Sequence, residues 1–124
     1  GRYIKNQVKE SNLFLYGMAA DQSPQIRSIT YWKDFLGVKV PVFTGSERIG
    51  KKHNIPIAFG KMLKVKRGHY EVDIELITEF PNDFENYKIT DKYISMVEKQ
   101  IRDKPEYYFW THNRFKHKNK APKD

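Results

Sequence analysis

Four histidines are the natural starting point for any chemistry in this chain: His53, His69, His112 and His117. A histidine acts as a general base toward a hydroxyl when a carboxylate orients its ring, and the H-x-x-x-x-D/E spacing supplies one. Five positions after each histidine stand Ala58, Ile74, His117 and Pro122. None is acidic, so that dyad is absent and no catalytic residue is assigned. With no cysteine in the chain, thiolate nucleophiles, disulfides and Cys-ligated metals are excluded. There is no G-x-S-x-G elbow, H-E-x-x-H pair, Walker loop or dinucleotide fingerprint. The reading calls for no metal and no cofactor.

Three other groupings carry binding chemistry. Asp21 and Gln22 end an apolar run, Asn12 to Ala20, whose length and composition predict a strand buried on both faces. Ligands gather at the carboxyl ends of strands in α/β sheets, so Asp21 reads as an orienting group in a cleft. It also reads as a strand-ending Asx turn, the commoner case. Thr44-Gly45-Ser46-Glu47 has the capping-box pattern and predicts a helix to His53. Thr44 at its start, with Arg48, Lys51 and Lys52 following, could hold a phosphate, or could simply cap a solvated basic helix. Finally, Trp110-Thr111-His112-Asn113-Arg114-Phe115-Lys116 places His112 and Arg114 between aromatics. It reads as a ligand-facing cationic pair, an aromatic anchor for the C-terminus, or both.

The elements around these residues follow from periodicity. Tyr3, Ile4 and Val8 fit the end of an amphipathic helix. Residues 25–37 read as a loop or short helix stopped by Gly37, and Val38 to Phe43 as a strand with Pro41 near its end. Ile55 to Val65 and Tyr70 to Leu76 predict a hairpin around Arg67-Gly68, with one wet face. Thr90 is the expected cap of a helix burying Ile94, Val97 and Ile101, with Pro105 beyond its end. Tyr107 to Trp110 should pack onto the domain, and residues 117–124 read as a flexible basic tail. The chain is thus read as one domain, residues 1–124, of α/β class.

A net charge of +8 on 124 residues favours anionic partners. No apolar run is long enough for a membrane span. Because the chain begins at Gly1, an excised C-terminal piece is the expectation, with part of its sheet missing.

Pro105-Glu106-Tyr107-Tyr108-Phe109-Trp110-Thr111-His112-Asn113-Arg114-Phe115-Lys116 resembles the C-terminal signature of the lipid A late acyltransferases, P-E-Q/Y-Y followed by W-x-H-R-R-F/W-K. Asn113 departs from the usual arginine. Asp21-Gln22, Val40-Pro41-Val42-Phe43, Ile49-Gly50-Lys51-Lys52, Ile55-Pro56-Ile57 and Lys66-Arg67-Gly68-His69-Tyr70 resemble further family segments in the same order. The resemblance implies a partial αβα sheet like that of glycerolipid acyltransferases, with a β-hairpin and a C-terminal helix. It implies transfer of a fatty acyl group from an acyl carrier protein or acyl-CoA donor to a hydroxyl of a phosphorylated lipid A precursor. The family's base lies in an H-x-x-x-x-D/E motif upstream of the region matched here, so this piece alone is expected to be soluble and inactive. The parent is expected at an anionic membrane surface, the cytoplasmic face of the bacterial inner membrane. Candidate substrate-binding residues are Asp21, Gln22, Thr44, Arg48, Lys51, His112 and Arg114. A basic nucleic-acid-binding module and a peripheral membrane domain without enzyme ancestry are the alternatives. Nucleic acid is not the expected partner, because most aromatics fall at core-periodic positions and no RNA-binding string appears.

Overall fold

A computed structural model of the chain describes residues 2–9 and 13–122. Helix α1 (Arg2–Lys9) opens it, and Ile4 is buried. Strands β1 (Trp32–Phe35) and β2 (Val38–Pro41) form one antiparallel pair. Helix α2 (Gly45–His53) follows, then the long pair β3 (Ile57–Lys66) and β4 (His69–Thr78), then helix α3 (Lys88–Asp103). Neither two-stranded sheet contains a parallel pair. The result is a partial α/β fold with the expected hairpin and C-terminal helix.

The core forms where one face of α3 meets both sheets. Ile94, Val97 and Ile101 recur at the helical period and are buried, as their spacing predicts. They pack with Phe35, Val40, Val42, Phe59 and Ile77. α2 approaches β3 closely at Gly50, where an added Cβ would lie 2.5 Å from Ile57 Cδ1. A side chain at this position would force Ile57 to shift.

Several sequence expectations are corrected. Residues 13–20 form no strand; they run without regular structure, and Leu13 and Leu15 are almost fully exposed. A strand buried on both faces needs paired edges and covered faces, and the described residues pair no strand with this segment and bury only Ala20 of it. Asn12 lies outside the described residues. Residues 32–35, read as loop or helix, are a strand. Its turn has positive φ at both Leu36 (50°) and Gly37 (81°), the geometry that suits a two-residue hairpin. Glu98 Oε1 accepts the Leu36 N–H at 2.8 Å and holds this left-handed leucine in place.

The β3–β4 hairpin was expected to have one wet face, with all its apolar residues on the other. The register places them on both. Phe59 is opposite Glu75 and Leu63 opposite Glu71, whereas Met62 is opposite Val72 and Gly60 opposite Ile74. Phe59 and Ile77 therefore face α3, and Met62, Tyr70, Val72, Ile74 and Leu76 occupy the other, exposed face.

Both predicted caps also differ. Thr44 makes no side-chain bond to its own helix; its Oγ1 pairs with Thr30 Oγ1 at 3.0 Å. Thr90 is the third residue of α3 and is buried, because the helix begins at Lys88 after a left-handed Tyr87.

Candidate functional site

The segment 18–21 runs along two apolar hollows that share Met18, Ala20 and Tyr93. The larger, about 730 Å³, lies between this segment, β3 and the end of α3. Phe59, Leu63, Val97 and Phe109 contribute apolar wall, while Asp21, Lys61, Lys64 and Lys104 contribute charge. Lys61 pairs with Asp103 at 3.9 Å, and the Lys64 ammonium sits 5.3 Å from the Tyr107 ring centre. The smaller hollow, about 490 Å³, opens between Leu13, Leu15, Ile49, Ile57 and Ala58. Both volumes suit an amphiphilic small molecule.

Asp21 and Gln22 stand where the apolar segment turns, as predicted, and Gln22 is exposed. What holds this turn is the C-terminal stretch. Ser23 is buried, and its N–H donates to His112 Nε2 at 3.1 Å. Its hydroxyl donates to the Arg114 carbonyl at 2.8 Å and accepts from Arg114 Nη1 at 3.2 Å. Nη1 also donates to the Pro41 carbonyl at 2.7 Å. Tyr108 donates its hydroxyl to the Asp21 carbonyl at 3.2 Å. Three regions distant in sequence thus close on one serine.

Arg114 is only 1% exposed and stacks 5.2 Å from the Phe35 ring centre. Its Nε and Nη2 are buried without a hydrogen-bond partner. Burial pushes its pKa down, while the nearby oxygens of Tyr108, Asp21 and Tyr93 pull it back up. Burial and Asp21 push the Tyr93 phenol up, and burial pushes Tyr108 up. The cluster around Asp21 is therefore a low-dielectric pocket holding one cation beside one carboxylate. It is also the place where two apolar hollows meet.

The other candidates fall elsewhere. Arg48 is exposed on α2. Lys51 turns toward the start of α3, bonding the Phe84 carbonyl at 2.8 Å, Asn86 Oδ1 at 3.2 Å and Glu47 at 3.3 Å. Thr44 faces Thr30. The structure brings Asp21, His112 and Arg114 together and leaves Thr44, Arg48 and Lys51 apart from one another's chemistry. Sequence reading missed Ser23, the shared partner of His112 and Arg114. Its only signal was its position directly after Asp21-Gln22. Glu47 was also missed as a buried partner: it was read as a cap for its own helix.

Among the described residues no group of three or more histidine, cysteine, aspartate or glutamate side chains is placed to hold a metal ion. Likewise, no helix among them is long and apolar enough to cross a membrane. No curated protein and no solved structure matches the chain. Residues 4–117 match the family model described as bacterial lipid A biosynthesis acyltransferase. The match spans the Asp21 turn, both hairpins, α3 and the His112–Arg114 closure, so the chain belongs to the bacterial lipid A biosynthesis acyltransferases.

Proposed function

We propose that this chain forms the substrate-binding side of an acyl transfer from an acyl carrier protein or acyl-CoA thioester to a hydroxyl of a phosphorylated lipid A precursor. The observation that carries this reading is the hollow of about 730 Å³ beside Asp21, apolar along Phe59 and Leu63 and cationic at Lys61, Lys64 and Lys104. An amphiphile with a hydrocarbon chain and an anionic head matches that division. Asp21 borders the hollow and is the candidate for direct contact, with exposed Gln22 next to it in the chain. Arg114 and His112 act through Ser23, holding the turn that carries them. Arg48 and Lys51 belong to α2 and Thr44 precedes it; of the three, exposed Arg48 is the one placed to meet an anionic headgroup. The work is done at the cytoplasmic face of the bacterial inner membrane, where partly anionic lipid meets a chain of net charge +8.

No H-x-x-x-x-D/E pair is present, so binding and turnover should separate. The purified chain should bind a long-chain acyl-CoA in equilibrium titration, with Leu63→Asp weakening it, yet release no acylated product when a lipid A precursor is added. Absence of acyl-CoA binding would remove the hollow from the reading. Turnover that survives repurification and vanishes on changing one of the chain's own residues would overturn the assignment of inactivity.

A further inference from the structure

Most of the outward face of the β3–β4 hairpin lies outside the hollow that carries the acyl-transfer reading. Met62, Tyr70, Val72, Ile74 and Leu76 lie on it, each between 52% and 63% exposed. Ala58 and Gly60 share the face and keep it flat. Ala58 also borders the hollow lined by Leu13 and Leu15, so the apolar surface continues past the hairpin. A contiguous patch of this kind on a small protein marks an interaction site.

Charge identifies the partner. Strand alternation sends Glu71, Asp73 and Glu75 to the opposite face, with Phe59 and Ile77. The outward face has no acidic side chain, and Lys66, Arg67 and His69 stand at its turn end; the Lys64 ammonium is drawn instead to the Tyr107 ring beside the larger hollow. A second copy stacked on this face would bring those cations no carboxylate. An anionic bilayer supplies both things the face lacks: hydrocarbon for the aliphatic side chains and phosphate for the basic end.

We propose that this face docks on an anionic lipid bilayer. The hairpin lies along the interface with Val72 and Ile74 entering the acyl boundary, Tyr70 at headgroup level, and Lys66 and Arg67 against phosphates. Each such cation strengthens attraction to an anionic leaflet about fivefold. This inference rests on the proposed work at an anionic membrane, and its test separates the two.

The chain has no cysteine, so single labels can be placed cleanly. Ile74→Cys and Glu71→Cys, on opposite faces, are labelled with a polarity-sensitive fluorophore and mixed with phosphatidylcholine vesicles with and without phosphatidylglycerol. The expected result is a blue shift and loss of iodide quenching at position 74 on anionic vesicles, with position 71 unchanged. Added salt should reverse it. The double variant Val72→Glu/Ile74→Glu should bind anionic vesicles at least about tenfold more weakly, with its circular dichroism unchanged. Vesicle binding with an unprotected position 74 overturns the hairpin assignment alone, and no vesicle binding at all overturns the membrane reading with it. Protection at position 74 without vesicles, growing with protein concentration, assigns the face to a second copy and overturns the proposal.

Discussion

The Glu47 carboxylate accepts two hydrogen bonds from Thr90 through one oxygen, from the amide at 2.8 Å and from the hydroxyl at 2.6 Å. Its other oxygen accepts the Tyr87 N–H at 2.6 Å. A side chain of α2 thereby satisfies the unpaired amides at the start of α3, where the helix dipole also favours negative charge. Glu47→Ala should cost about 2 to 4 kcal/mol, because buried donors lose a charged acceptor. Glu47→Gln should cost less, since one carbonyl still accepts. Urea denaturation of both variants checks the order; equal loss would show that acceptor geometry contributes nothing.

Arg114 tests a different balance. Its guanidinium is buried, yet only Nη1 has hydrogen-bond partners. Arg114→Ala should lower stability by about 2 to 5 kcal/mol through the cavity it leaves. Arg114→Met, which fills the volume without burying a charge, should lose less than alanine. Arg114→Lys should fare worse than methionine, because it keeps the buried charge and loses the planar stacking on Phe35. Thermal melts of the three variants read the ranking, and lysine retaining full stability would contradict it.

Alkaline pH should unfold the protein early. The Tyr31 phenol is pushed up to about 12, first by burial and then by its bond to Asp91, and Tyr93 and Tyr108 are also raised. The unfolded phenols ionise near pH 10. A raised folded value means that the stabilisation is complete below about pH 10 and is lost as pH climbs toward the folded values. Melting points recorded from pH 8 to 12, with tyrosinate absorbance followed in parallel, should fall together above pH 10. In Tyr31→Phe the alkaline decline should be shallower.

Trp110 was expected as an anchor of the C-terminal stretch, but it is 51% exposed. Its indole donates to the Pro105 carbonyl at 2.6 Å, and its ring meets Tyr108 edge-on at 4.9 Å. Trp110→Ala should therefore cost about 1 to 2 kcal/mol, the loss of one bond and one aromatic contact. Tyr108→Ala should cost more, since that ring also packs near Phe35 and holds Asp21. Denaturant midpoints for the two variants decide which aromatic is the anchor.

How much of this was legible follows the range of the interactions. The α3 face of Ile94, Val97 and Ile101 could be read because a helix reports its burial through local spacing. The β3–β4 turn could be read at Arg67-Gly68 for the same reason, but not which apolar stripe faces inward. That depends on a register set between strands and on α3 behind them. Thr44, Glu47 and Thr90 each looked like part of a local cap. Glu47 and Thr90 instead join two helices, and sequence spacing carries no sign of a bond between residues 43 positions apart. Asp21, His112 and Arg114 were each singled out separately; their meeting at Ser23 could be seen only in three dimensions.

The closure at Ser23 also sets an order of assembly. Ser23 and Arg114 are 91 residues apart, whereas the two hairpins join residues that are near neighbours along the chain. Loop entropy grows with the length enclosed, so the short-range pairs close first and the Ser23–Arg114 contact comes last. Opening would run in reverse: the stretch from His112 onward would detach before α3 loosens, and the Asp21 turn would lose its support while the core stays folded. The segment bordering the larger hollow is therefore tied to the contact with the longest closing loop among those at the turn, and its release is a subglobal opening with its own free energy.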